Sequence, residues 1–291
     1  MPEVNTPALS HLLALSFFAV LLLSTAAWLL GPPLWRAWRR ERVRRQAFPA
    51  AWREVLRRLW PAFARLPTPI QLQIKKHAQV LVAEKPFIGC DGLVVSDEMR
   101  VLVACQAALL LLHRRAGYFA GLREVLLYPG PFVVERVAQE ANGLSTASRR
   151  ALAGESWQQG RVILSWPDVL AGAADPTDGH NVVIHEFAHQ LDQQKGHANG
   201  APWMGRAERQ ARWAAVMGTE FAALRRRLAN GVTGETDQGN EIIGAYAATD
   251  EAEFFAVTSE LFFERPAALA RLHPALYGEL SSYYCSDPLL W

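Results

Sequence analysis

Cysteine is scarce in this chain of 291 residues, which has only Cys90, Cys105 and Cys285. The count is odd, the spacings are wide and there is no Cys-x-x-Cys, which argues against a disulfide framework and an all-cysteine metal site. Cys105 lies in an apolar run and reads as a small core residue. Charge is also sparse, at 20% of residues against 51% apolar, a balance that excludes a disordered chain. There is no internal repeat and no low-complexity tract. The net charge is only +2, and it is uneven: residues 1–49 carry +4, leaving −2 on residues 50–291. A slightly acidic body gives no electrostatic basis for direct nucleic-acid binding. The ten tryptophans point to packing and name no function.

Only one apolar run is long enough to cross a bilayer. From Leu12 to Leu30 no side chain is charged, and only Ser16, Ser24 and Thr25 interrupt the apolar residues. At about 1.5 Å per residue the run reaches roughly 28 Å, close to a hydrocarbon core. Gly31-Pro32-Pro33 is expected to stop this helix, with Trp28, Trp35 and Trp38 as an interfacial belt. A cleaved signal peptide wants positive residues before its apolar core. Here only Glu3 precedes it, and Arg36, Arg39, Arg40, Arg42, Arg44 and Arg45 follow. The positive-inside rule then predicts an uncleaved single-pass anchor in the inner (cytoplasmic) membrane, with the C-terminal side in the cytoplasm.

Three parts are therefore expected: an anchor over 1–35, an arginine-rich connector over 36–49, and a globular domain over 50–291. Within the domain, helical patterns occupy about 51–64 and 70–85. A buried helix follows over 101–112, started by Ser96-Asp97-Glu98. Strands are predicted at Glu124–Tyr128, continuing after Pro129-Gly130-Pro131 as Phe132–Val134, and at Arg161–Trp166 before Pro167-Asp168. Later helices are predicted at 181–195, 205–229, 250–264 and 267–284, with a surface loop at 230–240. Few strands preceding many helices indicate an α+β fold, mainly helical with a small mixed sheet.

The chemistry is concentrated in Val182-Val-Ile-His185-Glu186-Phe187-Ala188-His189-Gln-Leu-Asp192. On a helix, positions i and i+4 share a face, so His185 and His189 can aim two imidazoles at one ion. Glu186 is then beside the metal and can take a proton from a water that zinc acidifies. Val182, Val183, Ile184, Phe187, Ala188 and Leu191 would bury the helix, and Asp192 could orient a liganding imidazole. A third protein ligand is needed. The metzincin pattern would put Gly at 192 and His at 195, where this chain has Asp192 and Lys195, so that pattern is excluded. His197 is off-spacing in the loop Gly196–Gly200. A glutamate from a later helix is the remaining choice, and Glu253 competes with Glu260. Asp250-x-x-Glu253 also fits a capping box, in which Glu253 would only serve a helix end. Spacing leaves this choice open.

Further segments carry a resemblance. These are Glu124-Val-Leu-Leu-Tyr-Pro-Gly-Pro-Phe-Val-Val134, Ser156-Trp-Gln-Gln-Gly160, Ala245-Tyr-Ala-Ala-Thr-Asp250 leading to Glu253, Ser259-Glu-Leu-Phe-Phe263 and Asp287-Pro-Leu289. With the His185–Asp192 motif, the stretch from about 85 to 291 resembles the Mlc titration factor A family of bacterial zinc metallopeptidases. The resemblance implies one zinc per chain held by His185, His189 and Glu253, with Glu186 as general base and Tyr246 as a transition-state or substrate contact. It implies a gluzincin-like fold, also similar to the catalytic domain of anthrax lethal factor. The implied activity is that of a peptidase, chiefly aminopeptidase-like, and the implied partners are a peptide or protein substrate and a Mlc-type repressor. The anchor and connector depart from the soluble enterobacterial type. The strand Arg161–Trp166 is expected as the edge that pairs with an extended substrate. The rival readings are a membrane-tethered zinc-containing module that sequesters a transcription factor or other cytosolic partner, and a peptidase facing the periplasm. The intact Glu186 favours catalysis, since a structural site needs no base.

Overall fold

The computed structural model describes residues 6–113, 117–139, 145–152, 154–157, 160–231 and 241–291. The chain divides into two compact units, Met1–Ala47 and Phe48–Trp291.

The first unit is one helix, α1 (Thr6–Arg44), of 39 residues. It runs through Pro32 and Pro33, where the sequence led us to expect a stop. Two prolines remove two donors to the preceding turn. Both flanking stretches are strong helix formers, so the helix propagates across the gap. The segment His11–Arg44 has the length and composition of a membrane span. Beyond the prolines its arginines stack on the tryptophans one turn earlier, Arg39 5.6 Å from the Trp35 ring and Arg42 5.5 Å from Trp38.

In the second unit the order of elements gives the expected α+β class, mainly helical with a small mixed sheet. Helices α2 (Ala50–Leu59), α3 (Thr68–Glu84) and α4 (Asp97–Ala108) come first, with the short strand β1 (Phe87–Gly89) between the last two. Ser96 caps α4 by accepting from Met99 N. Val101 to Ala108 are almost fully buried, as a helix apolar on all faces must be.

Strands β2 (Glu124–Tyr128) and β6 (Arg161–Ser165) form the centre of a four-stranded sheet, with β5 (Gly154–Trp157) beside β6. The order is β1-β2-β6-β5, parallel except for the antiparallel β5–β6 pair. A separate antiparallel pair, β3 (Phe132–Gln139) and β4 (Ser145–Leu152), extends the predicted Phe132–Val134 strand. The expectation that Arg161–Trp166 is an edge is overturned, because β6 is paired on both sides. Its run Val162-Ile-Leu164 is buried throughout, which is the pattern of an interior strand and not of an edge.

The sheet leads directly into α5 (Trp166–Ala174). The sequence reading took Pro167-Asp168 as a terminator, but the proline occupies the first turn of this helix and Asp168 follows it there, both favourable positions. Then come α6 (Val182–Asp192), α7 (Ala207–Ala229), α8 (Glu251–Glu264), α9 (Pro266–Leu272) and α10 (Pro274–Tyr284). The last two replace one predicted helix. Pro274 disfavours helical geometry at the residue before it, and His273 accordingly sits at φ −133°, ψ 61°. Of the predicted 230–240 loop, residues 232–240 lie outside the described residues. Trp213 of α7 is wholly buried against Phe255 of α8, ring centroids 5.6 Å apart. Burial of a large side chain such as this is worth about 2 kcal/mol or more, and it fixes α8 beneath the site.

Candidate active site

Helix α6 begins at Asn181, whose side-chain oxygen accepts from Val183 N and Ile184 N, both at 3.1 Å. Val183, Ile184, Phe187, Ala188 and Leu191 then sink into the core. That anchoring leaves His185, Glu186 and His189 buried in the remaining face, at 9, 4 and 7% exposure.

Helix α8 supplies the opposing face. Asp250 caps it by accepting from Glu253 N at 2.9 Å, so the capping expectation holds for the backbone. The Glu253 carboxylate goes elsewhere: its Oε2 lies 3.0 Å from His185 Nε2 and 3.6 Å from His189 Nε2. One donor atom from each of His185, His189 and Glu253 falls within 4.8 Å of the others. Glu260, the rival, lies on the far side of the first imidazole. Its Oε1 is 2.7 Å from His185 Nδ1, and its Oε2 accepts Asn181 N at 2.6 Å.

His185 is therefore flanked by a carboxylate at each ring nitrogen. Burial disfavours its charged form, but the Glu260 charge and the hydrogen bonds to Glu253 and Glu260 outweigh burial and hold its pKa well above the ordinary range. Burial likewise opposes the Glu253 carboxylate, yet hydrogen bonds from His185 and His189 keep its carboxyl below the usual range. A carboxylate and an imidazole nitrogen facing each other need a cation between them, either a proton or a metal. The donor set of two imidazoles and one carboxylate is one that zinc takes with a coordination position left open. The residues fit the ion.

Other predicted residues fall at varying distances from this centre. Tyr246 lies in a single 3-10 turn (Ala245–Ala248), its ring centroid 6.0 Å from that of His185 and its side chain half exposed. The segment leading to it is held by Glu241, whose Oε1 accepts Ile242 N and Ile243 N at 2.9 and 2.8 Å. Glu241 is in turn paired with Arg227 and with His273. Among the described residues Asp192 Oδ1 and His189 Nδ1 are both buried without a hydrogen-bond partner, so the carboxylate acts on that imidazole only as a nearby charge. Its Oδ2 accepts Asn199 N and Gly200 N, both at 2.7 Å, pinning the loop after α6. Gly200 has φ +70°, and a Cβ there would lie 2.2 Å from Glu251 O. This loop therefore presses directly on the first turn of α8 beside Glu253. His197 is exposed in the same loop and lies outside the metal-ligand group.

Sequence reasoning missed the network behind the helix. Asn181 Nδ2 donates to Gln106 Oε1 at 2.8 Å and to Glu264 Oε1 at 3.0 Å, tying α4, α6 and α8 together. Asn181 was legible, as an asparagine preceding an apolar helical run, but Glu264 carries no local signal.

Burial pushes the Glu264 carboxyl up to about 8, assisted by the Glu260 charge and opposed by the Asn181 hydrogen bond. Between about pH 4.5 and 8 the folded chain thus keeps a proton that the unfolded chain releases, so stability falls as pH rises through that window. Each pKa unit corresponds to about 1.4 kcal/mol. Replacing Glu264 with Gln should flatten this decline. In thermal melts of the zinc-saturated protein at pH 6 and pH 8.5, the variant should lose less stability on going alkaline than the parent. An equal loss in both would show that Glu264 is already ionised at neutral pH.

The family described as "Glucose-regulated metallo-peptidase M90" matches residues 35–285. An uncharacterized Synechocystis protein, slr2042, is 34% identical over 271 residues, covering 93% of this chain and 96% of its own length. Mlc titration factor A of Yersinia pestis is 35% identical over 244 residues, 82% of this chain and 86% of its own. The protein of the same name from Yersinia pseudotuberculosis matches at the same identity and coverage.

Proposed function

This chain belongs to the glucose-regulated metallo-peptidase M90 family, and on that premise we propose that it is a zinc-dependent peptidase with an aminopeptidase-like preference. The observation that carries this reading is the convergence of His185, His189 and Glu253 donor atoms within 4.8 Å, next to the buried carboxylate of Glu186. These three residues would hold the ion. A zinc ion bound there supplies a Lewis acid that polarises a scissile carbonyl and acidifies water.

In this reading the chain's own groups carry the protons. Glu186 removes a proton from the attacking water and returns it to the leaving amine. The low exposure of its carboxylate keeps it out of bulk solvent and suits it to that exchange. Glu260 accepts from His185 Nδ1–H, which fixes the ring and turns Nε2 toward the ion. The Tyr246 hydroxyl donates to the oxyanion that develops on the carbonyl, where one donor can be worth ~3 kcal/mol. Of the two end strands of the sheet, β1 and β5, β5 packs against α6 and is the edge offered to an extended substrate.

Two results test the reading together. Chelation of the full-length chain in detergent should abolish peptide cleavage, and stoichiometric zinc should restore it. Tyr246→Phe should bind zinc as the parent does and turn over about a hundredfold more slowly. A zinc-loaded parent that cuts no peptide would overturn the function. An unchanged rate in Tyr246→Phe would reduce that hydroxyl to packing.

We place the enzyme at the cytoplasmic membrane, anchored by α1 with the catalytic unit in the cytoplasm. The arginines after Leu30 support this orientation, and an alkaline phosphatase active when fused to the C-terminus would reverse it. Peptide or protein is the proposed substrate. A Mlc-type repressor enters as a second ligand of the same domain through the name its Yersinia relatives carry.

A further inference from the structure

Tyr246 is placed by a segment with little regular structure. Residues 241–244 form neither helix nor strand, and a single 3-10 turn follows them. The end toward α8 is secured locally, since Tyr246 O accepts Thr249 N at 3.1 Å and Thr249 Oγ1 at 2.7 Å. The other end is secured by a buried cluster of charges.

Glu241 is 6% exposed, and its side chain folds back so that Oε1 accepts both Ile242 N and Ile243 N. Its Oε2 pairs with Arg227 of α7. His273 brings Nε2 to 3.4 Å from Glu241 Oε1, and its other ring nitrogen, Nδ1, lies 2.8 Å from Glu220 Oε2. Glu220 and Arg227 are seven residues apart on α7 and share a face of it. His273 stands at the break between α9 and α10. One carboxylate therefore ties the approach to Tyr246 to α7 and to that break, neither of which carries a residue of the metal-ligand group.

Satisfying two buried amides needs only a neutral acceptor. A carboxylate this buried needs partners that offset its charge, and the fold supplies Arg227 and His273. With one oxygen given to the backbone and the other to the guanidinium, the direction of the chain at 242–243 is fixed against α7. We propose that Glu241, braced by Arg227 and His273, is a positioning residue for Tyr246. It aims the chain so that the phenol ring comes to rest 6.0 Å from that of His185. The inference deepens the peptidase reading and rests on it for the role of the Tyr246 hydroxyl. The plainer alternative is that Ile242 and Ile243, 2 and 1% exposed, hold the segment by their own burial while Glu241 only satisfies their amides.

Glu241→Gln separates the two. The amide has one acceptor oxygen, so it must give up either the backbone pair or Arg227. The test compares the parent, Glu241→Gln, Tyr246→Phe and the double variant as zinc-loaded full-length chains, acting on an alanine peptide with a free amino terminus. Glu241→Gln should keep one zinc per chain and hold KM within about twofold, while kcat falls about 10–100-fold, as a misplaced catalytic group requires. In the Tyr246→Phe background the same change should cost less than about threefold, because the hydroxyl it positions is already gone. Equal losses in the two backgrounds, or an unchanged kcat in Glu241→Gln, would overturn the proposal. Should Glu241→Gln fail to fold, Arg227→Gln, whose parent side chain is one-third exposed, should show the same dependence on Tyr246. Amide hydrogen exchange gives a reading that needs no turnover. In Glu241→Gln it should quicken through residues 244–248 and stay unchanged in α6, whereas a change confined to 242–243 would leave Glu241 as a local acceptor and overturn the placement. A parent that cuts no peptide, with exchange quickened as expected, would sink the peptidase reading and keep the placement.

Discussion

Glu186→Gln is expected to retain one zinc per chain and to lose peptide turnover by ~10³-fold or more. The amide keeps the size and planarity of the carboxylate, so the buried face of α6 repacks without a cavity. It cannot accept a proton from water at neutral pH, so the attacking group is not generated and the leaving amine receives no proton. The side chain is 4% exposed, leaving little room for solvent hydroxide to substitute. Elemental analysis and steady-state kinetics on the same preparation separate the two consequences. Zinc retained with turnover lost supports Glu186 as the base. Turnover within a few-fold of the parent would remove Glu186 from the chemistry and shift the domain towards the binding-module reading.

Much of this site could be read before the fold was known, because its signals are local. Asn181, the apolar run after it and the His185–His189 spacing together specify a capped, buried helix that presents two imidazoles on one side. Ser96 before α4 and Asp250 before α8 are helix starts of the same kind. What could not be read depends on tertiary partners. Glu253 and Glu260 are seven residues apart, two turns of α8, and so share one face. Both must look toward α6, and only the packed geometry shows that one meets Nε2 of His185 and the other Nδ1. The strands β4 and β5 were missed because Ser145–Leu152 and Gly154–Trp157 lack the apolar alternation of a half-buried strand. Helix α5 was missed because a proline after a strand reads equally as a stop or as a first helical turn. At Pro32-Pro33 the same residue type misled in the other direction, since strong helix formers on both sides carried α1 through.

The choice between the two glutamates gives the second large effect. Glu253→Ala should leave the chain folded and without bound zinc after desalting, whereas Glu260→Gln should keep zinc with affinity weakened about 10–100-fold. The folded state of the first variant is protected by how α8 begins, since Asp250 accepts the backbone N–H of residue 253 and does not need its side chain. Removing the carboxylate therefore deletes a ligand atom without uncapping the helix. In the second variant the amide oxygen can still accept from His185 Nδ1–H, so the ring stays oriented, but the negative charge that makes the imidazole a better donor is gone. Competition with a chelator of known affinity, run on the parent and both variants, reads the two losses on one scale. If Glu253→Ala binds zinc as tightly as the parent while Glu260→Gln releases it, the roles are reversed. The imidazole would then have to turn about its own axis to offer Nδ1 to the ion, and the carboxylate 3.0 Å from Nε2 would become the group that orients it.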